Sequence, residues 1–218
     1  MHIKKTKMPK TWPIPRKGRK KRFVAVPSHM TCKGIPLLFL LRDVLDIART
    51  RKEAKYMTHN GMVKVNNKIR RDERFPVQVF DIVSLEKENL NYRLEIVNRK
   101  FSLVEVSGKE AETKIIKISG KKIVSGGKVQ MNLDDGQNLL TKEKFSVGDS
   151  VIMNTKTGKI VKVLPLKKGA KIEIITGKHA GEKGTLMGVE ELVRGRNYKI
   201  KLEDKVVTLP YKTILVIA

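Results

Sequence analysis

Lys4, Lys5, Lys7, Lys10, Arg16, Lys17, Arg19, Lys20, Lys21 and Arg22 stand within the first 22 residues, and no acidic residue precedes Asp43. A run of this kind supports one sort of chemistry: it neutralises a polyanion by charge contacts. Trp12 and Phe23 are set among these cations. A cation beside a flat ring suits RNA, where phosphates take the charge and a base or sugar takes the ring. Three further basic groups follow. Arg42, Arg49, Arg51, Lys52 and Lys55 surround a candidate helix start; Lys68, Arg70, Arg71 and Arg74 follow a candidate hairpin; Lys178, His179 and Lys183 sit in a glycine-rich stretch. Cations at a helix start oppose the helix dipole, and a phosphate bound there removes the conflict.

The other reading of each group is a plain one. The first run is then a solvated tail, Trp12 an anchor onto its own protein, and the second group an exposed helix face. The last group becomes a bare turn in a small barrel that binds protein. The whole chain favours a polyanionic partner: 218 residues carry 47 Lys and Arg against 22 Asp and Glu, a formal net charge of +25.

Enzymatic chemistry finds no foothold. Gly177 is followed five residues later by Glu182, so a Gly-x-x-x-x-Gly-Lys-[Ser/Thr] phosphate loop fails. No Gly-x-Gly-x-x-Gly opens a helix after a strand, and no Gly-x-Ser-x-Gly elbow occurs. His2, His29, His59 and His179 are scattered, with no His-x-x-x-His pair. Asp134-Asp135 is followed by Gly136 and reads as a hairpin turn, not a carboxylate pair. Cys32 is the one cysteine, so neither an internal disulfide nor a cysteine-based zinc site is expected. The expectations are therefore no catalytic residue, no metal, no cofactor and no small-molecule substrate. The longest strongly apolar stretch, Leu37 to Leu41, is far short of the ~20 residues that span a bilayer. No basic amphipathic helix accompanies the charge, so a membrane partner is not expected either. The basic N-terminus lacks an apolar signal region, which makes a reduced, cytoplasmic setting the default.

These residues need elements to hold them. Pro9, Pro13, Pro15, Pro27 and Pro36 interrupt any helix in the basic run, which reads as an extended arm that orders on a partner and adds nothing to a folded core. Leu37, Leu38, Leu41, Val44, Leu45 and Ala48 recur at helical spacing and predict a helix from about Pro36 to Arg49. Thr50-Arg51-Lys52-Glu53 is a capping box, so a second helix starts at Thr50, and Gly61 suits its left-handed end. Val63 and Val65 alternate with polar residues before Asn66-Asn67, a hairpin signal, and Val77 to Leu85 reads as one strand with Asp81 near its middle. From about Asn89 the text is strand-like, with turns at Ser119-Gly120, Gly126-Gly127, Asp134-Asp135-Gly136 and Thr157-Gly158. Only the neighbourhood of Lys109 to Thr113 reads as helical there. Short strands with turns every ~8–12 residues indicate a compact barrel or sandwich.

The helix pair and the run GMVKVNNKIRRDERFPVQVFDIVSL resemble the small RNA-binding module first seen in small-subunit ribosomal protein four. The opening MHIKKTKMPKTWPIPRKGRKKRFVAVPSHMTCKGIPLLFLLRDVLDIARTRKEA is similar to the narrower archaeal and eukaryotic-type family of that number. Lys168 to Leu186 resembles the KOW motif, a strand leading into a glycine-rich loop whose backbone can approach an RNA phosphate closely. The resemblance covers nearly the whole chain. It implies an α+β, mostly β chain of several modules: a basic arm over 1–34, a two-helix plus β RNA-binding module over 35–88, a central barrel-like β domain over 89–166 and an SH3-like KOW barrel over 167–218. It implies a structural constituent of the small ribosomal subunit, one copy per subunit, touching small-subunit ribosomal RNA and neighbouring small-subunit proteins. Two alternatives stay open: a non-ribosomal regulatory factor with a KOW barrel, and an RNA-modifying enzyme carrying the same module. Arg71-Asp72 is similar to the arginine–aspartate pair of enzymes that isomerise uridine, but those enzymes need a separate catalytic domain, for which the chain has no room.

Overall fold

The computed structural model describes residues 2–17, 22–29, 33–86, 88–192, 195–203 and 205–217. Arg19, Lys20, Lys21 and Cys32 lie outside these described residues. The chain is mostly β and divides into two compact units, residues 1–112 and 113–218.

The first unit opens with β1 (His2–Lys4), antiparallel to β2 (Phe23–Ala25). The loop between them carries Met8 and Trp12, and both are buried, Trp12 to 2% exposure. The indole Nε1 donates to the Gly34 carbonyl (3.2 Å), and its ring lies against Phe39 with centroids 5.5 Å apart. Phe101 N donates to the Thr11 carbonyl (2.7 Å), and the Arg16 guanidinium donates to the Met8 carbonyl. The described part of the arm therefore belongs to the core of its unit, against the expectation of a segment that contributes nothing to it. Composition alone undervalues the segment because its few large apolar side chains find their partners far along the chain.

Gly34 shows how close that approach is. It lies in β3 (Gly34–Pro36), and a Cβ there would sit 2.9 Å from the Val77 carbonyl oxygen. Next comes α1 (Leu37–Phe39), which continues through Leu40–Val44 in the wider π geometry, with Leu45 N donating to Leu40 O at 2.9 Å. The helix thus stops short of Arg49. Ile47 N and Ala48 N both fold back onto the Leu41 carbonyl (3.0 and 3.1 Å), Asp46 takes a positive φ of 54°, and Ala48 is buried at the reversal. Leu37 to Leu41 are buried without exception, and the helix reaches solvent only in its last turn, at Asp43.

The second helix, α2 (Arg51–His59), follows the expected capping box: Glu53 N donates to Thr50 Oγ1 (3.3 Å) and Thr50 N to Glu53 Oε2 (3.3 Å). The hairpin of β4 (Val63–Val65) and β5 (Lys68–Ile69) turns through Asn66 and Asn67, both left-handed. The single strand expected over Val77 to Leu85 is two, β6 (Pro76–Gln78) and β7 (Ile82–Leu85), broken at Phe80 with φ 64°. Buried Asp81 explains the break. Its carboxylate accepts from Gln78 N (2.7 Å) and from the Asn66 side-chain amide (2.8 Å), while Asn66 Oδ1 accepts from Ile82 N (3.0 Å).

Two longer strands, β8 (Leu90–Val97) and β9 (Lys100–Glu105), complete a five-stranded sheet in the order β5-β4-β7-β8-β9, while β3 pairs with β6. Residues read from sequence as the start of a separate domain thus hydrogen-bond to β7 within the first unit. A 3₁₀ turn, Gly108–Glu112, ends that unit.

In the second unit, β10 (Thr113–Val124), β11 (Lys128–Leu133), β12 (Asn138–Thr141), β13 (Ser150–Asn154) and β14 (Ile160–Leu164) form a sheet in the order β12-β11-β10-β13-β14. A bulge between Ile118 and Gly120 lets the long β10 pair with β13 along its first half and β11 along its second. Its core holds Ile116, Ile118, Met131, Leu133, Phe145, Val151 and Met153. A second sheet follows from β15 (Lys171–Ile174), β16 (Lys183–Leu192), β17 (Gly195–Lys201), β18 (Val206–Pro210) and β19 (Ile214–Val216), in the order β18-β17-β16-β15-β19. Polar ties join the two sheets. Buried Lys117 donates to the carbonyls of Tyr211 and Ile214 (2.9 Å for the latter), Ser150 Oγ accepts from Val216 N (3.0 Å), and Asp149 accepts from Leu166 N (2.8 Å).

Replacing Trp12 by Ala is expected to lower stability by about 3–5 kcal/mol, the range for removing a large buried ring. Chemical denaturation of the full chain measures it. An unchanged midpoint returns the segment to the status of an independent tail.

Candidate nucleic-acid interface

The loop between β5 and β6 and the start of α2 are built as one piece. Leu38 N donates to the Glu73 carbonyl (2.8 Å) and Leu37 N to the Phe75 carbonyl (3.0 Å), so the loop caps the first N–H groups of α1. Glu73 is buried (7% exposed), and its Oε1 accepts from Arg51 Nε at 2.9 Å and from the other guanidinium nitrogen. The hydrogen bond to Glu73, then its charge, raises the Arg51 pKa against the opposing effect of burial. Arg51 is therefore an internal tie as much as a surface cation.

Around that tie stand cations of different kinds. Arg49, Lys52, Lys55, Lys68 and Arg71 are exposed. Arg74 is half-buried and lies 4.0 Å from Asp72. The Arg70 guanidinium lies over the Phe75 ring, 4.2 Å from its centroid. Arg42 bonds Asp43 (3.2 and 2.6 Å) and covers Phe39 at 5.3 Å. The first helix junction and the loop after the hairpin, separated by about twenty residues of sequence, thus meet through Arg51 and Glu73.

In the N-terminal segment Lys4, Lys7, Lys10, Lys17 and Arg22 are exposed, while Lys5 and Arg16 are half-buried. Trp12 has no free face for a base. Its place as the exposed ring among cations falls to Phe23, which is 54% exposed with Arg22 over it at 6.0 Å. Phe23 is one of the two rings the sequence sets among the cations, and in β2 it is the exposed residue while Val24 is buried. Tyr56, exposed on α2 among Lys52 and Lys55, is a ring that no sequence motif marks.

The glycine-rich loop between β15 and β16 keeps Lys178 and Lys183 exposed. His179 turns inward, its Nδ1 3.0 Å from Glu182, whose carboxylate also lies 4.0 Å from Lys205 Nζ. Gly184 answers a packing demand: a Cβ there would stand 2.5 Å from the Lys201 carbonyl oxygen of β17. Its lack of a side chain admits a neighbouring strand, whatever else approaches the loop.

Among the described residues, no group of three or more His, Cys, Asp or Glu is placed to hold a metal, and no helix is long and apolar enough to cross a membrane. Exposed cations and rings beside carboxylates that act as internal ties define a basic, mostly β protein built to hold a polyanion. The family model for ribosomal family S4e matches residues 80–160. A small ribosomal subunit protein eS4 from Methanocella arvoryzae is 38% identical over 87% of this chain and 81% of its own length, and one from Archaeoglobus fulgidus is 36% identical over 85% and 79%. The crystal structure of the 30S ribosomal protein S4e from Thermoplasma acidophilum matches with a TM-score of 0.73 at 25% identity, over 85% of this chain and 95% of that one. The chain belongs to the S4e family of ribosomal proteins, which is not an enzyme family.

Arg51→Ala is expected to cost about 1–3 kcal/mol, because it leaves the Glu73 carboxylate buried without its partner. Lys52→Ala, one residue on and exposed, should stay within about 0.5 kcal/mol of the parent. Urea denaturation of the two variants separates tie from surface.

Proposed function

We infer that this protein is a structural constituent of the small ribosomal subunit and holds small-subunit ribosomal RNA through many weak phosphate contacts. Family membership is the observation that carries this reading. Charge supports it, since 47 cations face 22 anions and several of the anions are turned inward. The RNA-facing set is Lys4, Lys7, Lys10, Lys17 and Arg22 with Phe23, then Arg49, Lys52, Lys55, Lys68 and Arg71, then Lys178 and Lys183, with the half-buried Lys5, Arg16, Arg70 and Arg74 beside them. Residues 1–34 supply the basic segment and 35–88 the RNA-binding module, whose sheet β8 and β9 complete; the central β module starts at β10, and 167–218 supply the SH3-like KOW module. Linking such modules raises affinity through effective concentration, so no single contact has to be strong. One copy works in each subunit of cytoplasmic ribosomes, with neighbouring small-subunit proteins beside it, and it transforms no small molecule.

If about eight phosphates are neutralised on helical RNA, log K falls against log salt with a slope on the order of −7. Filter binding of the full chain to small-subunit ribosomal RNA reads it, and a slope near −1 counts against the proposal. Charge reversal at Arg49, Lys52 and Lys55 together should weaken that binding without loss of helix by circular dichroism. On sucrose gradients in high salt the protein should migrate stoichiometrically with the small subunit; migration at the top of the gradient would sink the reading.

A further inference from the structure

Ile69, Arg70, Arg71, Asp72 and Phe75 line an open cleft of about 460 Å³ in the first unit. We propose that this cleft receives one unpaired guanine of the bound RNA, stacked on the Arg70 guanidinium with Asp72 at its hydrogen-bonding edge. The proposal rests on the RNA-binding reading above and deepens it.

The cleft is already layered. Phe75 forms its base, in a T-shaped contact with the His29 ring at 5.4 Å, and the central carbon of the Arg70 guanidinium lies over it, 4.2 Å from its centroid. A guanidinium plane with one face on a ring offers its other face to a base, and unpaired RNA bases stack on such planes. Ile69, 49% exposed, gives an apolar wall. The Arg70 Nε is buried and finds no hydrogen-bond partner among the described residues, an unmet donor on a residue that lines the cleft.

The loop is held by hydrogen bonds of its own. Arg70 N donates to the Val63 carbonyl (3.2 Å), Phe75 N to the Asp72 carbonyl (3.1 Å), Arg74 N to Asp72 Oδ1 (2.8 Å), and the Phe75 carbonyl is held by α1. Preorganisation of this kind lowers the ordering cost of binding.

A phosphate alone fits the cleft poorly. Asp72 repels it, and the Arg70 guanidinium is already engaged with the Phe75 ring. A base fits both features. Asp72 accepts protons and gives none, so it selects a base with donors on its pairing edge. Guanine presents two, N1–H and N2–H, in the spacing a carboxylate takes.

The test uses the full chain and a transcript of small-subunit ribosomal RNA, probed with kethoxal, which attacks guanine at N1 and N2. One unpaired guanine should be protected by the parent protein and react again with Arg70→Lys and with Phe75→Leu. Each variant should bind about tenfold more weakly, as loss of one stacked base predicts. The salt slope should stay the same, since Arg70→Lys keeps its charge. Arg71→Gln should do the reverse, reducing the slope by about 1 and leaving the guanine protected. If Arg70→Lys binds like the parent and no single guanine depends on it, the Arg70–Phe75 stack is internal to the protein and the proposal is overturned. GMP that shifts the Phe75 ring resonances and is not displaced by the RNA assigns the cleft to free nucleotides and overturns it too. Failure of the parent protein to bind the RNA at all strikes the ribosomal reading itself, and is seen before any variant is compared.

Discussion

With 47 cations and 22 anions, the chain repels itself, and its carboxylates are the groups available to offset that repulsion. They are not spread evenly as surface counter-charges. Glu73, Asp81, Asp149 and Glu173 are buried, and the first three accept hydrogen bonds that join separate stretches of chain. Glu73 ties the loop after the hairpin to α2; Asp81 and Asn66 tie the hairpin to the break before β7; Asp149 and its neighbour Ser150 tie the two sheets of the second unit. Donors offset the cost of burying a carboxylate, so each tie specifies a geometry; at Glu73 the Arg51 guanidinium also neutralises the charge through Oε1, while Oε2 finds no partner among the described residues. Burying these four acids widens the excess of cations on the exterior, where other carboxylates such as Glu53, Asp72 and Glu190 remain exposed.

Lysine also takes part inside. Lys117 is buried against two carbonyls with its ammonium 4.8 Å from the Tyr211 ring centroid, and Lys114 is buried 3.2 Å from Asp135. Counting cations therefore overstates the number offered to a partner. The exposed ones define the surface, among them the N-terminal lysines, those of α2, the hairpin lysine Lys68 and Lys178 and Lys183 of the glycine-rich loop.

How much of this was legible depends on the range of the interaction. The capping box at Thr50, the Asn66-Asn67 turn and the turns at Gly126-Gly127, Asp134-Asp135-Gly136 and Thr157-Gly158 were readable, because each is decided by residues within a few positions of one another. Ser119-Gly120, expected as a turn, is instead a bulge inside β10, where pairing with β11 and β13 carries the strand through. The end of the first helix was not readable either. Its apolar period runs on through Leu45 and Ala48, but the reversal at Asp46 is made by Ile47 and Ala48 folding back to the Leu41 carbonyl. Trp12 and Phe23 show the same division within one segment. Both are aromatic residues among cations, and local composition treats them alike. One is buried by Gly34 and Phe39, residues more than twenty positions away, while the other stays exposed on a short strand.

The sequence by itself determined the character of the protein: strongly basic, mostly β, modular, without the spacing of any catalytic or metal motif, and similar to one ribosomal family. Charge sign, turn chemistry and motif order are local or additive properties, and they survive being read one residue at a time. Tertiary structure alone decided which cations face outward, that Arg51 belongs to Glu73, that His179 turns toward Glu182, and that Gly184 makes room for a neighbouring strand. It also decided that β8 and β9 complete the first unit's sheet. The reason is physical: burial and pairing are set by whatever arrives from distant parts of the chain, and a residue's own type does not say which neighbour that will be.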